Sequence, residues 1–183
     1  NRDRRRLWLC DYASCGVGPL TGIDTAQLKQ FVVIPTLQQM GAGMASMAAI
    51  NLVVGTALAE SNAAFLRQVT NSGFGPARGL WQMEPFTHDD CWSNWLRYPP
   101  QSKAATAIRA MIGNLPAEAD LMIVHLAYAC AMCRVKYFRA PTALPRFDDA
   151  AGLSRYHKQF YNSALGAADP VANVARFREA IRS

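Results

Sequence analysis

No part of the chain supplies the roughly 18 consecutive apolar residues that a membrane-spanning helix needs. The nearest approach, residues 40–59, is interrupted by Gly41, Gly43, Ser46, Asn51 and Gly55, and reads as a buried helix. Leu7-Trp8-Leu9, behind a basic start, is too short for the apolar core of a signal peptide. Alternation of apolar and polar residues is missing as well, so no segment reads as a strand. Internal repeats and a composition shift that would mark a linker are absent too. Negative charge is scarce: 13 acidic residues stand against 19 lysines and arginines, a formal net charge of +6. Such a balance attracts polyanions, among them nucleic acid, anionic lipid and bacterial wall polymers, without choosing between them. Cysteine is sparse and odd in number, with Cys10, Cys15, Cys91, Cys130 and Cys133. An odd set argues against a complete disulfide framework. Cys130 and Cys133 lie one helical turn apart in an apolar segment, where cysteine serves as a small hydrophobe. Buried free thiols, with no metal and no cofactor, are the expectation.

What is present suits a globular fold. Hydrophobic residues make up 51% of the chain and charged residues 17%, too apolar for a disordered polymer. At 183 residues the chain is long enough for one domain with a substantial core. Residues 1–22, with Arg2, Arg4, Arg5 and Arg6 and then turn formers, read as a basic N-terminal arm able to touch nucleic acid or a partner protein. Residues 23–183 read as a single all-α domain. A first helix starts at Asp24 or Thr25 and is kinked by Pro35, and Gly41 and Gly43 break the chain. A second, from about Ala45 to Ala59, is apolar on nearly every side and therefore central. Residues 70–79 read as a loop. Pro85 opens a helix carrying Trp92, Trp95 and Leu96, which Pro99-Pro100 closes. A short helix spans about Gln101 to Ile112, and the longest runs from about Ala117 to Phe138. The last two are capped by Asp148 or Asp149 and opened by Pro170.

Among residues that could do chemistry, Glu60 ends the central apolar helix. A carboxyl group with apolar neighbours is disfavoured in its charged form, and a carboxylic acid that keeps its proton can protonate the oxygen of a leaving sugar. A surface glutamate near a helix end is the alternative at this point. In Gly79-Leu80-Trp81-Gln82-Met83, glycine permits a close backbone approach, Gln82 offers a donor and an acceptor, and Trp81 either meets a sugar face or fills the core. Glu84, Asp89 and Asp90 are available as a second carboxylate. His88, beside two aspartates, does not form a metal set, because adjacent helical residues point apart. His125 reads as a hydrogen-bonded core histidine, and His157, near Arg155 and Lys158, as part of a solvated face.

Taken together, Glu60-Ser61, a loop with Ser72-Gly73, and Gly79-Leu80-Trp81-Gln82-Met83 resemble the signature of the soluble lytic transglycosylases and goose-type lysozymes. The family continues with an Ala-Tyr-Asn-Ala-Gly segment and a later tyrosine. Here those positions are Leu126-Ala127-Tyr128-Ala129-Cys130, without the asparagine and glycine, and Tyr156 or Tyr161. The segments 31–37, 84–90, 156–158 and 160–162 also resemble virion-associated, transglycosylase-like proteins of tailed bacteriophages. The resemblance implies a lysozyme-like fold and a peptidoglycan substrate. It makes Glu60 the catalytic acid and then base, and puts Ser61, Ser72, Gly79, Trp81, Gln82, Met83, Tyr128 and Tyr156 at the substrate. Glu60 would protonate the bond between N-acetylmuramic acid and N-acetylglucosamine, the substrate acetamido group would stabilise the cation, and a 1,6-anhydro sugar or a hydrolysed product would follow. It further implies a place in the virion among other phage proteins, with action at the cell wall during genome delivery. The alternative is a structural virion protein (tail, connector or internal component) on the same fold with weak or no activity.

Overall fold

A computed structural model describes residues 22–162 and 169–183. The basic arm, apart from Gly22, lies outside the described residues, as do Cys10 and Cys15. The fold is mostly helical with one small two-stranded sheet. At the start, Asp24 accepts a hydrogen bond from the Gln27 amide and caps α1 (Thr25–Gln27). The chain then passes through a π-helical segment, Leu28–Val33, into α2 (Ile34–Gln39). The expected kink at Pro35 takes this form. Proline has no N–H to give and its ring crowds the preceding turn, and the widened π turns immediately upstream accommodate it without breaking the helix.

Helix α3 (Met47–Ser61) begins where Ser46 Oγ accepts from the Ala49 amide and ends at Asn62, whose φ of 53° is left-handed. Every residue from Ala49 to Leu58 is buried, so the helix is central, as its all-round apolar sequence requires. It packs against α9 (Val174–Arg182), α8 (Ala150–Phe160) and α7 (Leu126–Phe138), as well as the π-helical segment. Gly55 lets α9 come close, since a Cβ there would overlap the Phe177 ring.

The loop expected at 70–79 is instead most of an antiparallel hairpin, β1 (Arg67–Thr70) and β2 (Gly73–Arg78). Thr70 pairs with Gly73 across a two-residue turn, Asn71-Ser72, and Gly73 has a φ of 123°. The ladder is irregular between Arg67 and Val69. Gly75 and Pro76 lie in the bulge itself, where residues 75–77 of β2 face Gln68 alone, and they are the residues that erased any alternation from the sequence.

Helix α4 (Pro85–Cys91) opens at Pro85 and continues as a π segment, Trp92–Leu96. After Pro99–Gln101, a 3-10 turn, comes α5 (Ser102–Ile112). The single helix expected over 117–138 is two. Helix α6 (Leu121–Val124) stops at His125, which is extended, with φ −119° and ψ 93°. Its Nδ1 accepts from the Tyr128 amide and caps α7, and its Nε2 meets Met111 O at 3.2 Å. His125 is thus hydrogen-bonded, as expected, but serves as a helix cap. Asp149 caps α8. Pro170 lies in the turn before α9, where its carbonyl accepts from Ser154 Oγ.

Gly55→Ala tests the α3–α9 contact. Forcing a methyl group into the Phe177 ring should lower stability by about 1–3 kcal/mol, the usual range for overpacking. Urea unfolding is the measurement, and an unchanged midpoint would contradict this packing.

Candidate functional site

A cleft of about 840 Å³ opens at the C-terminal end of α3. One wall is the helix end, Ala59 and Glu60. A second is the hairpin and its approach, with Phe65, Gln68, Val69 and Ala77. The third is the turn Gln82-Met83-Glu84, and the remainder includes Lys136, Tyr161, Asn162, Asp169 and Asn173. The hairpin is held over the helix end by local geometry. Arg78 and Met83 exchange backbone hydrogen bonds, closing the loop between them. Within that loop Gly79 has a φ of 69°, and a Cβ there would lie 2.5 Å from Met122 O. Glycine is therefore required on both conformational and steric grounds. Gln82 is also left-handed (φ 47°), and its Nε2 donates to Gly79 O at 2.8 Å and Phe65 O at 3.2 Å.

Three hydrogen bonds strap this loop to the core. Ser61 Oγ donates to Leu80 O (2.7 Å), Trp81 Nε1 to Val53 O (2.8 Å), and Tyr161 OH to Trp81 O (2.8 Å). Each is buried, where a lost partner leaves a costly unsatisfied group.

Glu60 lines the cleft from the end of α3. Its side chain is 16% exposed, and its Oε1 lies 2.7 Å from Nε2 of His157, which is fully buried. The Nδ2 of Asn162 approaches the same oxygen at 3.5 Å. The His157 ring stacks on Tyr161 at 5.9 Å and packs on Phe177 at 5.6 Å. Nearby, Lys136 Nζ donates to Tyr161 O at 2.6 Å and lies 4.4 Å from the centre of the Tyr161 ring. Burial lowers the Lys136 pKa from its ordinary value, while the charges of Glu60 and Glu84, among others, act in the opposite direction. Burial also pushes the Tyr161 hydroxyl well above the usual phenol range.

The residues singled out by sequence divide into three groups. Glu60, Gln82 and Met83 line the cleft, as does Glu84, and Tyr161 is the later tyrosine found there. Ser61, Gly79 and Trp81 act one layer behind, as the strap and turn just described, and Trp81 is core rather than a sugar platform. Ser72, Tyr128 and Tyr156 are not among the cleft-lining residues. Ser72 is exposed in the hairpin turn, and Tyr156 OH donates to Thr142 O at 2.9 Å. Tyr128, also fully buried, has its OH 2.6 Å from His88 Nε2 and accepts from Trp92 Nε1 at 3.0 Å. Its pKa is pushed up to about 12, chiefly by burial. His88 Nδ1 in turn meets Asp89 at 2.7 Å, and Asp90 pairs with Arg139 at 2.7 Å.

His157 is fully buried and not part of the solvated face expected there. Leu153, Tyr156, His157 and Tyr161 recur at helical spacing, and that pattern places the histidine on the buried side of α8. Asn162, Lys136 and Asp169 carried no comparable signal. Comparison with family models, with curated proteins and with solved structures gives no match for this chain.

Tyr128→Phe separates a role at the cleft from a role in the core. Removing the hydroxyl leaves Trp92 Nε1 and His88 Nε2 without their partner, and stability should fall by about 1–3 kcal/mol. Any activity arising at Glu60 should change less than about twofold, a difference in barrier well under one kcal/mol. A large loss of activity at unchanged stability would return Tyr128 to the site.

Proposed function

We propose that the chain is a peptidoglycan-cleaving glycosidase of the lytic transglycosylase or lysozyme kind, with Glu60 as its general acid and base. The observation that carries this reading is a mostly buried carboxyl group at the end of a central helix, facing a cleft walled by a hairpin and the turn that follows it. A general acid must reach the glycosidic oxygen from a site that limits water, and Glu60 is so situated. The cleft has the surfaces a glycan needs. Phe65 and Val69 offer apolar area for sugar rings, while Gln82, Asn162 and Asn173 offer amides for hydroxyl and acetamido groups. Glu84 and Asp169 line the same cleft, so water attack directed by a second carboxylate is an alternative to internal attack by the 6-hydroxyl. The lysozyme-like fold belongs to this proposal, supported by the helical core and the hairpin beside the acid. A virion location, with other phage proteins as partners, rests on the sequence resemblance.

One observation favours a second reading. The Glu60–His157 pair joins α3 to α8 through a fully buried imidazole, and a contact of that kind can be retained for folding alone. A structural virion protein with a silent site would keep it.

Purified protein on labelled cell walls, with product masses read out, distinguishes the two. The enzyme reading expects muropeptides, either anhydro or hydrated, and a loss of about 10²–10⁴-fold for Glu60→Gln with the fold intact. Absence of cleavage by the wild type, together with misfolding of Glu60→Gln, would establish the structural reading instead.

A further inference from the structure

The proton arrangement at Glu60 can be read from an orphaned atom. His157 is fully buried, and among the described residues its Nδ1 has no hydrogen-bond partner, whereas its Nε2 lies 2.7 Å from Glu60 Oε1. A neutral imidazole carries its hydrogen on one nitrogen only. Were it on Nδ1, a buried N–H would face no acceptor, and an imidazolium would carry the same unpaired N–H with a charge added. With the hydrogen on Nε2, Nδ1 is a bare lone pair among the rings of Tyr161 and Phe177, the least costly of the three states. Nε2–H then donates to Glu60 Oε1. The Asn162 amide, at 3.5 Å, points a donor at the same oxygen.

We propose that His157 is a positioning residue for Glu60: it donates Nε2–H to Oε1, locks the carboxyl group in place, and reserves Oε2 as the oxygen that carries and delivers the proton in the cleft. This rests on the glycosidase reading above and deepens it. Because both donors converge on Oε1, a proton on that oxygen would meet an N–H head-on, so the acid form of Glu60 holds its hydrogen on Oε2. The stacking of the imidazole on Tyr161 and its contact with Phe177 hold its plane, and with it the direction of the bond. No charge need reside on His157 at any stage of the reaction.

The test combines spectroscopy with two substitutions. Long-range proton–nitrogen spectra of the His157 ring should show a neutral ring with hydrogen on Nε2. His157→Phe keeps the ring packing and removes the donor, and His157→Gln returns an amide N–H at nearly the same reach. On cell-wall substrate, His157→Phe should lower kcat by about 10–100-fold, the range associated with loss of an orienting partner. KM should stay within about twofold, the mark of an interaction made in the transition state only. His157→Gln should recover most of the lost kcat, while the two variants melt alike. An active wild type, silenced by Glu60→Gln but indifferent to His157→Phe, overturns the positioning role and leaves the glycosidase reading standing. So does a ring protonated on Nδ1, or a Gln variant that folds but restores nothing. A wild type that cleaves no wall overturns the glycosidase reading itself and the positioning role with it.

Discussion

The cleft depends on how residues 79–83 are fastened to the core. Helix α3 ends in two left-handed residues, Asn62 and Ala63, which turn the chain sharply away from the helix axis. Without a tether, the following hairpin would be free to swing from the helix end, and Glu60 would be one more glutamate at a surface. Ser61, Trp81 and Tyr161 supply that tether from three directions: the end of α3, the loop itself and the segment after α8. The groups that hold the wall of the cleft in place are therefore the same groups that close the hydrophobic core. A change at Trp81 acts on the site through packing, although the indole lies away from the cleft.

This arrangement explains which parts of the structure were legible in the sequence. The capping residues Asp24 and Asp149, the helix opening at Pro85 and the burial of α3 follow from side-chain chemistry and hydrophobic spacing within one segment. Local rules are enough for such features. The hairpin was hidden because Gly73, Gly75 and Pro76 belong to a bulged strand whose pairing partner, not its own pattern, makes it a strand. The break at His125 was hidden for a similar reason: the residue caps α7 while its other nitrogen reaches Met111, a contact made across the chain. At the site, Glu60 and the Gly79–Met83 turn were legible from their order along the chain. His157 was not, because basic neighbours suggested a surface while its helical face was apolar. Its partner lies 97 positions away in sequence.

Tyr128 marks the largest difference between what the resemblance implies and what the chain does. In the family pattern a tyrosine on this later helix attends the substrate. Here it anchors His88 and Trp92 within the protein, linking α7 to α4 and to the π segment that follows. The absence of asparagine and glycine after Tyr128 fits that internal role, since neither a polar contact nor a close backbone approach is needed there. Under the proposed glycosidase reading, recognition of a glycan would fall to the residues that do line the cleft, on the hairpin, on Gln82 and on the segment around Tyr161 and Asn162. The chemistry proposed for Glu60 is compatible with this shift, because a single general acid needs an oriented leaving oxygen and does not prescribe which wall provides the orientation.

The central claim is that a glycan lies in the cleft at the end of α3. Titration of isotope-labelled protein with a soluble peptidoglycan fragment, followed by amide and side-chain NMR, addresses it directly. The account predicts saturable shifts confined to Val69, Ala77, the Gln82 side-chain amide and Asn162, with His88, Trp92 and Tyr128 unmoved. Saturable shifts clustered at Trp92 and Arg109, which line a separate cleft of about 410 Å³, or no shifts at a fragment concentration in the millimolar range that weak glycan binding requires, would contradict it.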